Sequence, residues 1–85
     1  MTTQYERLKV ELIQVLAGLG NADTLPFLRP LLNDHSSWVQ IETVEALRYI
    51  SDKSIIEDLK KLLSSQNKDL VDAVKIIIKE IETKV

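Results

Sequence analysis

Apolar residues recur along this chain at intervals of three and four, and the rhythm breaks at four short polar links. Tyr5, Leu8, Leu12, Val15, Leu16 and Leu19 follow helical steps and predict a helix over about 4–18. Leu25, Leu28, Leu31 and Leu32 predict a second over about 22–33, and Val39, Val44, Ala46, Leu47 and Ile50 a third over about 38–50. Ile55, Ile56, Leu59, Leu62 and Leu63 mark a fourth over about 53–64; Leu70, Val74, Ile77, Ile78 and Ile81 mark a fifth over about 68–83. The links are Gly20-Asn21, Asp34-His35-Ser36, Ser51-Asp52 and Ser64-Ser65-Gln66-Asn67. Links this short fold consecutive helices back as antiparallel neighbours.

Local signals support these limits. Thr3 with Glu6, and Ser37 with Gln40, have the spacing of a capping box, in which the first side chain and the fourth satisfy each other's free backbone N–H groups. Gly18 and Gly20 stand where a helix end favours a left-handed residue. Asn21 and Asp52 can accept hydrogen bonds from the next helix start. Pro26 falls in or just past the first turn, where a missing donor costs little. Pro30 removes the bond to the Pro26 carbonyl, which predicts a bend in the second helix.

One constant shift superposes the two halves of the chain, the shift that carries Leu16 onto Leu47. It also carries Leu28 onto Leu59, Leu31 onto Leu62 and Leu32 onto Leu63, with Asn21 on Asp52 and Arg29 on Lys60. The third helix repeats in the fifth at the same spacing, Leu47 on Ile78 and Ile50 on Ile81. A plain bundle has no reason to hold a period, whereas a solenoid of helix pairs does, because each unit buries its face on the next. The run Gly20-Asn21-Ala22-Asp23-Thr24-Leu25-Pro26-Phe27-Leu28 resembles the G-D-P-E-A-L-P-A-L segment of short HEAT-like repeats, the subclass first named for phycobilisome lyases. Leu31-Leu32-Asn33-Asp34, then Trp38-Val39-Gln40 and Glu45-Ala46-Leu47, resemble the segments that follow it. In the second unit Ser51-Asp52 replaces Gly-Asp and Glu57 stands at the proline position. Gln40 and Val71 occupy positions where the family has arginine, which leaves its aspartate–arginine ladder open. The resemblance implies an all-α, armadillo-like α-α superhelix: five antiparallel helices forming about two repeats and a flanking helix, in a single domain over 1–85. It implies a protein-binding scaffold, with a component of a bilin lyase or chromophore-handling chaperone as one alternative. A plain homodimeric helical bundle is the other.

Composition narrows the function. The 85 residues carry a net charge of −2 with no basic run, so no phosphate-neutralising surface for nucleic acid is evident. There is no cysteine, hence no disulfide and no thiolate zinc site. No apolar run approaches a membrane span, and Met1–Lys9 lacks a signal-peptide core, so the expected location is cytoplasmic. His35 is a lone histidine beside Asp34, too few ligands for a metal. Glu42 with Glu45, and Glu80 with Glu82, read as solvated carboxylates; Ser36 and Ser37 lack an oxyanion-binding loop; Gly18-Leu19-Gly20 lacks the rest of a dinucleotide fingerprint. No enzyme activity and no cofactor are expected. The better candidate is a surface: Trp38, Ile41, Glu45, Arg48 and Tyr49 lie opposite the core stripe of the third helix and combine aromatic, aliphatic and arginine side chains as interaction hot spots do. They are the candidate partner-binding ridge, set against a structural role in which Trp38 covers a loop and Tyr49 an apolar edge. Val10, Leu12 and Ile13 at one end, and Ile76, Ile77 and Ile78 at the other, predict apolar end faces suited to self-association or to a longer array.

Overall fold

The structure is a computed structural model that describes residues 4–50 and 52–83. Its α-helices are α1 (Gln4–Leu19), α2 (Leu25–Leu28), α3 (Ser37–Leu47), α4 (Ile55–Lys60) and α5 (Lys68–Thr83). α2 is flanked by 3₁₀ turns at Ala22–Thr24 and Arg29–Asn33, and α4 runs into another at Lys61–Ser64. Among the described residues there is no strand. The helices form two layers. α1, α3 and α5 lie side by side with α3 in the middle; α3 rests on the Arg29–Asn33 turn, and α5 on α4 and Lys61–Ser64. This is a stack of helix pairs rather than a closed bundle. One continuous core runs between the layers, with Leu28, Val39, Leu47, Leu59 and Leu70 fully inaccessible. Thr43 is buried among them because its hydroxyl donates to the Val39 carbonyl at 2.7 Å, so its polar group is paired.

The repeat is visible in the hydrogen bonds of the junctions. The Asp23 N–H donates to Asn21 Oδ1 at 2.9 Å, and one repeat later the Ser54 N–H donates to Asp52 Oδ1 at 2.9 Å. The Ser36 N–H donates to Asp34 Oδ2, and its counterpart Asn67 N–H to Ser65 Oγ, both at 3.1 Å. The N-caps match as well: Ser36 Oγ accepts from the Val39 N–H at 3.3 Å, and Asn67 Oδ1 from the Leu70 N–H at 3.2 Å. The cap of α3 is thus Ser36, one residue before the Ser37 expected from the capping-box spacing. Asp34 favours this, since its carboxylate accepts the Ser36 N–H and fixes the chain direction one residue earlier. The other expected capping box starts at Thr3, outside the described residues.

Three further expectations change. Around Pro30 the chain tightens from α to 3₁₀ geometry. Lys61, at the same repeat position and free to donate, opens the 3₁₀ turn that ends α4. The tightening therefore belongs to the unit, not to proline, and it closes the helix end: the Asp34 N–H reaches the Leu31 carbonyl at 3.2 Å and the Ser65 N–H the Leu62 carbonyl at 3.0 Å. The third helix stops at Leu47, and residues 48–50 continue as i-to-i+3 turns through the Arg48, Tyr49 and Ile50 N–H groups. Of the two glycines, Gly20 alone takes the left-handed conformation, at φ 59°, whereas Gly18 lies inside α1.

The largest correction concerns α1. Of the residues that mark its helical period, Tyr5, Leu8, Leu12, Val15 and Leu19 are all more than half exposed and Leu16 alone is half-buried on the core; of the three expected at an open end, Leu12 is exposed while Val10 and Ile13 are buried. α1 has apolar residues on two faces and one neighbouring helix in its layer, α3, so only one face is covered. At the far end Ile77 is buried, Ile78 half-buried and Ile76 exposed.

Candidate functional site

The helix layer α1–α3–α5 presents shallow grooves on both sides of α3. One, of about 280 Å³, runs between α3 and α5 and is lined by Ile41, Glu45, Arg48, Asp69, Asp72 and Ile76, among others. A second, of about 200 Å³, lies between α1 and α3 and includes Gln14, Ala17, Glu42, Glu45, Arg48 and Tyr49. A third, of about 470 Å³, is formed by Gln14, Ala17, Gly18, Gly20 and Tyr49 where the two helix ends meet. The spacing of three and four along α3 places Ile41, Glu45 and Arg48 on one line, so they form the crest between the first two grooves.

Four of the five ridge residues are therefore brought together, in graded exposure. Ile41 is half-buried against the core, Glu45 is exposed, and Tyr49 is 61% exposed. Arg48 is held by α5: its Nη2 donates to Glu80 Oε1 at 3.3 Å, and its Nε lies 3.2 Å from Glu80 Oε2. That contact ties α3 to α5 beside the groove with one charge-assisted hydrogen bond. Trp38 is on the first turn of α3, only 36% exposed, and lines none of these three grooves. The ridge is joined by repeat equivalents that the sequence also offers: Gln14, Ala17 and Gly18 from α1, and Asp69, Asp72 and Ile76 from α5. The signal was in the repeat, since Gln14, Ala17 and Gly18 stand one full period before Glu45, Arg48 and Tyr49.

Gly18 and Gly20 shape the site as well as the turn. Apart from its chain neighbours and the backbone of its own helix, nothing lies within 4 Å of where a Gly18 side chain would begin, so the groove beside Tyr49 is open there. At Gly20 a Cβ would lie 3.4 Å from the Tyr49 carbonyl oxygen, so the α1 end packs directly on the α3 end.

Charges at the unit junctions are paired. Lys9 Nζ donates to Asp34 Oδ1 at 2.6 Å and lies 4.2 Å from the Tyr5 ring centre. The Lys9 ammonium, followed by the Ser36 N–H, holds the Asp34 carboxyl below its ordinary value of 3.8, and Asp34 in turn raises Lys9 above 10.5. The pair joins α1 to the link before α3; at the next unit Gln40, in the position of Lys9, donates instead to the Leu32 carbonyl at 2.8 Å. The Ser54 N–H, then its hydroxyl, lowers Asp52 below 3.8. On the opposite layer Arg29 bridges the units, with Nε 2.8 Å from Asp58 Oδ2 and Nη2 2.8 Å from Ser54 Oγ.

The residues weighed for chemistry are dispersed. His35 is exposed in a link, and Ser36 Oγ donates to Glu6 Oε2 at 2.6 Å while capping α3. Among the described residues no three of His, Cys, Asp or Glu gather as metal ligands, and no helix is long and apolar enough to cross a membrane.

A family model described as HEAT repeats matches residues 2–77. No curated protein and no solved structure matches the chain.

Proposed function

The chain belongs to the HEAT-repeat family, and from that premise we propose that the α1–α3–α5 face is a protein-docking surface centred on Ile41, Glu45, Arg48 and Tyr49. HEAT repeats generally bind proteins or scaffold them and are typically non-catalytic. The observation that carries the reading is the α3–α5 groove. It combines apolar Ile41, Ala73 and Ile76 with the carboxylates Glu45, Asp69 and Asp72, while the arginine beside it already pairs with Glu80. That chemistry suits an extended or helical segment with an aliphatic or aromatic anchor flanked by lysine or arginine. Tyr49 adds an exposed aromatic with a hydrogen-bonding tip at one end. Trp38 belongs to the periphery of this surface. Self-association through the exposed apolar side of α1 is part of the same reading, alongside the short phycobilisome-lyase-type subclass suggested by Gly20–Leu28.

Selection from a displayed peptide library, followed by mapping of NMR shifts on the folded chain, tests the docking face. Basic-apolar peptides are expected to shift Ile41, Glu45, Arg48, Tyr49 and Ile76, and Ile41→Asp should weaken binding at least tenfold with helicity kept. Shifts confined to the opposite layer, around Pro26 and Lys61, would overturn the reading, as would failure to recover any peptide above background.

A further inference from the structure

α1 carries an apolar stripe that nothing in the described chain covers. Tyr5, Leu8, Leu12, Val15 and Leu19 are spaced three, four, three and four, and their exposures run from 51% to 67%. A helical seam repeats its core positions in this 3–4 rhythm. Moved by one repeat, the stripe falls on Ser36, Val39, Thr43, Ala46 and Ile50 of the second unit, and by one repeat more on Asn67, Leu70, Val74, Ile77 and Ile81. Of these counterparts Val39, Thr43, Ala46, Ile50, Leu70, Val74 and Ile77 are buried. The difference is the neighbour. α3 has α1 beside it and α5 has α3 beside it, whereas no described element precedes α1 in the layer. The repeat thus specifies what fits the stripe: a helix laid alongside α1.

The opposite end of the layer cannot supply that helix. Within the chain α1 packs on α3 with Val10, Ile13 and Ala17 turned inward. The equivalent positions on α5 are Asp72, Lys75 and Lys79, all exposed. Head-to-tail stacking of copies would press the Lys75 and Lys79 charges onto five apolar side chains, a costly burial without partners. A charged terminal face of this kind ends a solenoid. The stripe itself does offer the matching helix. It has the same 3–4 spacing that Leu25, Leu28 and Leu32 contribute to the core, and Leu12 at its middle meets its own copy whether the two helices run parallel or antiparallel. Five side chains exposed to this degree offer roughly 500 Å² per copy, so two fully covered stripes reach ~1,000 Å², the lower bound for a biological interface. Lys9, already tied to Asp34 and seated on the Tyr5 ring, holds one end of the stripe in place.

We propose that the outer stripe of α1 is a twofold interface between two copies of this chain, closed by its symmetry and leaving the α3–α5 groove of each copy outward. The proposal rests on the self-association part of the reading above and does not depend on peptide docking. Sedimentation equilibrium over a range of concentrations tests it. The expected result is a monomer–dimer equilibrium with no larger species, shifted at least tenfold toward monomer by Leu12→Glu or by Val15→Glu, and unmoved by Ile76→Glu. Helicity of each variant is followed by circular dichroism, and both stripe variants place charge at exposed positions. Mild oxidation of Leu12→Cys, in a chain otherwise free of cysteine, should give a disulfide-linked dimer, whereas Phe27→Cys should not. A chain that stays monomeric at high concentration, a ladder of higher oligomers, or a dimer insensitive to both glutamate variants would overturn it. A peptide that binds the ridge equally well in wild type and in Leu12→Glu separates failure here from failure of the docking face.

Discussion

α1 and α5 are both 16 residues long and hold equivalent places two repeats apart, yet they meet their surroundings in opposite ways. On α5 the side facing into the layer is apolar and buried, through Leu70, Val74 and Ile77, and the side facing outward carries Lys75 and Lys79. On α1 the inward side is also apolar, through Val10 and Ile13, but so is the outward side. A solenoid unit has two faces to settle. The outer side of α5 has the composition of a solvated face, whereas both sides of α1 have the composition of a packed one. Burial here is set by what lies next to a helix, not by the helix's own pattern.

The sharpest form of that contrast is one substitution made twice. Leu8 and Leu70 occupy the same repeat position in α1 and α5, 59% and 0% exposed. Leu70→Ala should destabilise by about 2–5 kcal/mol through lost burial and a cavity. Leu8→Ala, measured by urea denaturation in dilute solution, should stay within about 0.5 kcal/mol. Equal losses would mean that α1's outer side is packed after all. Next in size is the joint that sets α1 against α3. Gly20→Ala forces a side chain into φ 59° and should cost about 1–2 kcal/mol. Gly18→Ala, inside α1 with open space around it, should instead add about 0.5–1 kcal/mol of stability, seen as a higher melting temperature. A loss at Gly18 would place that residue at a contact.

Smaller effects probe the junctions. Arg29→Ala removes the bridge between the outer segments and should cost up to about 1 kcal/mol, since the arginine is 42% exposed. The Lys9–Asp34 rung gives a pH signature confined to the α1 side. Asp34 is held below 3.8 in the fold, so its contribution is complete above that value and fades as pH falls below it. Lys9 is held above 10.5, so its contribution persists below 10.5 and is lost as pH rises through its raised value. The stability difference between wild type and Asp34→Asn should therefore be flat across neutral pH and shrink in acid. A difference that grows in acid would reverse the sign of this pairing.

The architecture was largely legible in the sequence, because the repeat period and the polar links follow from residues that act locally. Asn21 and Asp52 make the same turn one repeat apart, and Asp34 and Ser65 do likewise, with no help from the rest of the fold. Ile41, Glu45, Arg48 and Tyr49 were accessible for a similar reason, since one helical wheel separates them from the core stripe. What periodicity could not give was the coverage of α1. Two apolar faces on one helix look alike in sequence, and only the position of α3 decides between Ile13 and Leu12.

Thiol labelling at positions 12, 43 and 74 separates neighbour from pattern as the cause of burial, since the three are one repeat position in three surroundings and the chain has no cysteine of its own. In dilute solution the thiol of Leu12→Cys is expected to react nearly as fast as in the unfolded chain, while those of Thr43→Cys and Val74→Cys react at least a hundredfold more slowly. Comparable protection at all three positions in dilute solution, or comparable reactivity, would contradict this dependence on the neighbouring helix.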